Sequence, residues 1–199
     1  MPLGANKAAI MGTAGVETEG DVVLLNTTSI TSDTGGVTWD NTIITSTYAE
    51  YLIKVYNFEG STDNTQLVGQ FSIDNGTNWT VASTTNYFTA LHSEAGTAAL
   101  SYQAGYDHDQ SATWLYFSYI VGGAGDESGV ISMKLFNPSS TTYAKHFLVE
   151  GQQYDGASNQ AAHNLVGGYA NTTSAVNAMH LKAASGNIAN GKFKIWGVK

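Results

Sequence analysis

Asp107-His108-Asp109 is the densest group of potential ligands in this 199-residue chain. On a strand, the two carboxylates would share one face and His108 would oppose them. In a loop, they could hold Ca²⁺, with backbone carbonyls completing the shell. The plain alternative is a solvated acidic loop between the Tyr102 and Trp114 regions. A second pair, Asp126-Glu127, follows Gly122-Gly123-Ala124-Gly125. Two carboxylates are the minimum for glycoside hydrolysis, but neighbours on a glycine-rich turn are badly placed to flank one sugar bond. The histidines (His92, His108, His146, His163 and His180) include no His-x-x-x-His spacing. No Gly-x-Ser-x-Gly elbow or phosphate-cradling glycine motif occurs. The chain has no cysteine, which excludes thiol nucleophiles, Cys-based zinc sites and disulfides. These patterns predict no enzyme and no cofactor.

One stretch carries a defined local geometry. "FSIDNGTNWT" spans Phe71 to Thr80 and reads Ser72-x-Asp74-x-Gly76-x-x-Trp79. It is similar to the Asp-box hairpin repeated in sialidases and departs from it at Asn78, where that box usually has Thr. Asp74 is placed to accept backbone N–H groups of the turn, Gly76 can take positive φ, and Trp79 can pack beneath. The motif stabilises a turn, so the expected role of Asp74, Gly76 and Trp79 is structural. A glycan-facing loop is the alternative.

Charge narrows the partners. All eight basic residues are lysines, against 16 acidic residues and a formal net charge of -8. Arginine is the fork that reads carboxylates and phosphates in two-pronged fashion, and none is present. A nucleic-acid surface is therefore not expected. Sialidase activity is not expected either, because it holds the substrate carboxylate with arginines. Lys7 and the short run Ala8-Ala9-Ile10-Met11 do not read as a secretion leader. No apolar stretch of about 18 residues marks a membrane span.

The elements that would position these residues read as strands. Ile131, Met133 and Leu135 alternate with Ser132 and Lys134; Met179 and Leu181 with His180 and Lys182; Phe193 and Ile195 with Lys192 and Lys194. Leu67, Gly69, Phe71 and Ile73 share a parity, as one face of a strand would. "YAEYLIKVYNF" (Tyr48 to Phe58) and "WLYFSYIV" (Trp114 to Val121) are apolar at both parities and read as central strands or strands that also meet a partner. Ser158 to Gly168 could hold a helical turn, though a strand from Asn164 onward fits better. Turn signals separate about ten or eleven strands. The expectation is an all-β fold, a single jelly-roll-type antiparallel β-sandwich over residues 21–199, preceded by an N-terminal arm over residues 1–20.

Several segments taken together resemble a family of small structural proteins of tailed bacteriophages, particularly those of marine bacteria and cyanobacteria. They are "MPLGANKAAIMG" (Met1 to Gly12), "STYAEYLIKVYNF" (Ser46 to Phe58), the Asp-box-like hairpin, "LFNPSSTTYAKHF" (Leu135 to Phe147) and "GGYANTTSAVNAMHLKAASGNIANGKFKIWGV" (Gly167 to Val198). The resemblance runs along most of the chain and is weakest from about Phe88 to Glu127. It implies a virion component made in the host cytoplasm, with no catalytic residues to carry over. The expected function is capsid decoration or a head appendage, with partners in the major capsid protein and in itself as a homotrimer. The alternative is a tail-fibre domain that binds host glycan. Expected contact residues are Leu3, Ile10 and Met11 of the arm, with Tyr51, Tyr56, Trp114 and Tyr116 on the two-sided strands.

Overall fold

The structure is a computed structural model and describes residues 21–199. Leu3, Ile10, Met11 and the arm lie outside the described residues. Among the described residues, β-branched and aromatic side chains at alternating positions build thirteen strands. They are β1 (Val22–Ile30), β2 (Val37–Trp39), β3 (Glu50–Gly60), β4 (Leu67–Ser72), β5 (Ser83–Ser93), β6 (Ala98–Tyr102), β7 (His108–Ser111), β8 (Leu115–Tyr116), β9 (Gly129–Phe136), β10 (Lys145–Asp155), β11 (Gln160–Ala170), β12 (Ala178–Ala183) and β13 (Ile188–Val198). The count exceeds the expected ten or eleven because pieces as short as β8 carry too little periodicity to read.

The strands form an antiparallel sandwich, as expected. A nine-stranded sheet runs β1-β13-β3-β9-β10-β11-β5-β6, with β7 also pairing β5. A four-stranded sheet runs β2-β12-β4-β8. The alternation read from sequence holds in β9, β12 and β13, where Met133, Leu181 and Phe193 lie in the core. Phe147 of the large sheet meets Phe71 and Phe117 at ring separations of 5.4 and 6.2 Å. These rings stack the two layers together.

Three expectations are corrected. Trp114 to Val121 is not a central strand. It holds the two-residue edge strand β8 and then leaves the sheet, with Phe117 N–H donating to the Leu67 carbonyl at 2.9 Å. Its apolar content serves Phe117, which enters the core, and the loop behind it. Ile73 does not share the buried face of Leu67 and Phe71: β4 ends at Ser72 and Ile73 is exposed. Ser158 to Gly168 holds no helical turn, and its strand begins at Gln160 rather than Asn164.

The outer faces of the two sheets differ. On the small sheet, even the outward positions of β4 (Val68, Gln70 and Ser72) are buried. Gln70 donates its amide to the carbonyls of Ala112 and Thr113, and Trp79 and Trp114 flank His180, each at 5.5 Å. The chain covers this sheet with its own loops. Across the outer face of the large sheet, Leu148, Leu165, Val130, Phe88 and Tyr56 stay 39–55% exposed.

Candidate functional site

The Asp-box-like hairpin folds as its residue types dictate. Ser72 Oγ lies 2.7 Å from Asp74 Oδ1 and accepts the Gly76 N–H at 2.9 Å. Asp74 accepts the Asn78 backbone N–H at 2.9 Å and the Asn78 side-chain amide at 2.7 Å. Asn78, the one departure from the box, therefore supplies a second donor to the same carboxylate. These bonds, Ser72 first and then Asn78, hold the Asp74 carboxyl down to about 2. Asn75 and Gly76 both have positive φ, and a Cβ on Gly76 would sit 3.0 Å from the Trp79 ring. The loop is tied outward through Asn75, whose N–H donates to Asn177 and whose side chain accepts from Asn41. All of these contacts fasten the turn and pack Trp79 against the small sheet.

The other acidic candidates are likewise engaged locally. Asp107 accepts from the Tyr102 hydroxyl, His108 is buried at the start of β7 and Asp109 is exposed. Burial pushes the His108 imidazole below its ordinary value, against the opposing pull of Asp107. Glu127 accepts the Ala124 N–H at 2.8 Å and closes its own turn, while Asp126 is exposed. Among the described residues, no three His, Asp or Glu side chains gather as a metal site requires.

The expected contact residues separate. Tyr51 is fully buried, and its hydroxyl donates to the Thr45 carbonyl and accepts the Thr45 N–H. It is a core residue, so its place in a contact surface is corrected: the inward parity of β3 carries it between the layers. Trp114 lies half-buried beneath Lys182, whose ammonium sits 4.5 Å from the ring. Tyr116 is half-buried against Tyr106, with ring centres 4.8 Å apart. Tyr56, alone among the described residues of this set, projects from the large sheet as an exposed side chain.

That bare face is where outward side chains converge. The register aligns them in rows across six strands in the order β13, β3, β9, β10, β11, β5. The middle row is Lys194, Lys54, Ser132, Glu150, Leu165 and Phe88. On one side runs Trp196, Leu52, Lys134, Leu148, Gly167 and Asn86. On the other, Lys192 opposes Tyr56 on β3, and Val130, Gln152, His163 and Ala90 align on the next four strands. Three adjoining hollows of about 350, 480 and 520 Å³ follow the rows over β3, β9, β10, β11 and β5. His163 Nε2 lies 3.1 Å from Glu150 Oε1 at the centre.

Charge is segregated with the same geometry. Four lysines (Lys54, Lys134, Lys192 and Lys194) stand in these rows against one acid, Glu150. Sequence reasoning found Tyr56 but missed Val130, Leu148 and Leu165. A signal was present: each is a large aliphatic residue at the outward parity of a strand whose inward parity is already apolar. Only the pairing of β9, β10 and β11 shows that the three stand on adjacent strands.

No protein-family model matches the chain, and no curated protein matches it. Among solved structures it is similar to a protein of unknown function from Bacteroides ovatus, at 9% identity and a TM-score of 0.30, over 53% of this chain and 46% of that one. The chain thus spans about half the length of that neighbour. It is also similar to the marine PL-14 alginate lyase from Aplysia kurodai (13% identity, TM-score 0.28, 87% of this chain and 81% of that one). A third neighbour is the structure of infectious bursal disease virus, Gx strain (13% identity, TM-score 0.16, 89% and 40%). At these scores the likenesses carry no functional argument.

Proposed function

We propose that this chain is a structural protein of a bacteriophage particle, a capsid decoration or head-appendage protein that works by docking rather than by chemistry. One observation carries the docking part: the chain buries the outer face of its small sheet under Trp79 and Trp114 yet leaves aliphatic and aromatic side chains bare across the outer face of the large one. Exposed apolar patches of this kind mark interaction surfaces. The segments that resemble phage structural proteins supply the setting. Docking stabilises a particle by mass action, since the bound state gains contacts that the free chain lacks. The contacts run through Tyr56, Leu148 and Leu165 of the bare face, with Leu3, Ile10 and Met11 as an additional anchor.

The test is immunogold labelling of purified particles with an antibody against this chain. Gold over the head supports the reading, and absence of gold from the particle refutes it. Deletion of residues 2–19 tests the anchor, which is wrong if attachment is unchanged.

A second reading is favoured by the lining of the hollows. Ser132, Gln152, Asn86 and His163 present hydrogen-bonding groups beside Tyr56, as a polysaccharide groove would. Under that reading gold marks the tail or its tip, and the protein binds host cells or their polysaccharide in solution.

A further inference from the structure

We infer that the occupant of the bare face is a second copy of this chain, packed sheet against sheet about a dyad that runs along the strands between β9 and β10. The inference rests on the docking reading above and names its partner.

Area comes first. Along its path the large sheet is eight strands wide, and its central strands run 8–11 residues. At about 4.8 Å per strand and about 3.4 Å per residue, one face covers roughly 1,000–1,400 Å². A stable interface needs about 800 Å² from each partner. The face is therefore large enough to hold a dimer by itself.

Charge then selects the geometry. Lysines dominate the middle of β13, β3 and β9, one half of the six-strand block, where the acids Glu50 and Glu59 stand only at the two ends of β3, while Phe88, Leu165, His163 and Glu150 occupy β10, β11 and β5, the other half. Two sheets can meet face to face about a dyad lying across the strands or along them. An axis across the strands lays β3 on β3 and β13 on β13, and lysine meets lysine. An axis along the strands between β9 and β10 lays each half on the opposite half. Lys194 then stands over Phe88 of the other copy, where an ammonium is welcome on an aromatic face. Lys54 lays its methylene stem over Leu165. Tyr56 meets His163. Glu150 stands over Ser132, whose neighbours in the sheet are Lys54 and Lys134, so the one acid of the rows lies between two cations of the other copy. Sheets packed this way keep their strands within about 30° of each other. Such a contact is self-complementary and closes at two copies.

The test is light scattering of the full-length protein after gel filtration, with variants on the face. Leu148 and Leu165 are exposed, so Leu148→Asp and Leu165→Asp keep the circular dichroism spectrum of the folded sandwich. The parent elutes as a dimer, and either variant weakens association at least 100-fold. Glu150→Lys also weakens it, and the double variant Glu150→Lys/Lys134→Glu restores it. The chain has no cysteine, so Lys134→Cys and Leu148→Cys protomers mixed together give a bis-maleimide cross-link specific to the opposed halves.

A dimer insensitive to Leu148→Asp, or a trimer, overturns the inference. So does a monomer at high concentration. In the monomer case, attachment of the same variants to purified particles separates the two ideas. Attachment lost with Leu148→Asp keeps the docking reading with another protein as occupant, and attachment unchanged ends both. A monomer whose face variants lose binding to an acidic polysaccharide makes glycan the occupant.

Discussion

Gly69 is the position where one added carbon tests the packing of the whole sandwich. It sits on β4, opposite Leu181 of β12. A Cβ there would lie 2.3 Å from Phe117 Cε2 and 2.8 Å from Leu181 Cδ2. Carbon atoms in contact prefer about 3.5–4.0 Å, so the Phe117 ring must move by more than 1 Å. That ring is buried between the layers and touches Phe147 of the large sheet. Gly→Ala at a compatible backbone position ordinarily stabilises by about 0.4–1 kcal/mol through the unfolded chain. Overpacking costs about 1–3 kcal/mol, which decides the sign. Gly69→Ala is therefore net destabilising by up to about 2.6 kcal/mol, a drop of up to about 10 °C in a chain of this length. The assay is thermal unfolding by circular dichroism, with Gly125→Ala as the control, since nothing lies within 4 Å of a Cβ there. Gly69→Ala/Phe117→Leu recovers part of the loss. A Gly69→Ala midpoint equal to or above that of Gly125→Ala refutes the insertion of Phe117 over β4.

Other outcomes follow from single contacts. The Asp74 carboxyl, held down to about 2, contributes stability that is present above the ordinary carboxylate range and lost as pH falls from about 4 through about 2. Urea unfolding should show a parent-minus-Asp74→Asn difference that shrinks over that window, and hydrogen exchange at the Asn78 amide should speed up in the variant. Burial first, and the charge of Lys182 second, lower His180; burial also lowers His108. Both favour the neutral ring in the folded state, so stability falls as pH drops below about 6.5, and His180→Gln removes part of that slope in a pH series of urea melts. Lys145 is fully buried and donates to the carbonyls of Tyr143 and Thr172 at 2.8 and 3.0 Å. Lys145→Met leaves both acceptors unpaired at a cost of about 1–3 kcal/mol in urea unfolding, and Lys145→Ala costs more because it adds a cavity.

Period-two alternation in β9, β12 and β13 set both the strand type and the inward parity, because side chains on a strand must point alternately to core and solvent. The Asp74 turn was legible for a similar reason: its donors and acceptor lie within seven residues, and local hydrogen bonding needs no distant partner. Lysine as the sole base, and the lack of cysteine, excluded whole classes of chemistry. Tyr51 and Tyr56 both lie in a stretch that is apolar at both parities, yet one is core and the other surface: they stand at opposite parities of β3, and the pairing of β3 between β13 and β9 decides which parity faces the core. Trp114 and Leu148 differ in the same way. Only the tertiary structure shows that a loop folds Trp114 onto the small sheet while, among the described residues, nothing folds onto Leu148. Sequence sets which face of a strand is apolar. Whether a second apolar face is covered depends on contacts between segments far apart in the chain, and no local pattern records those.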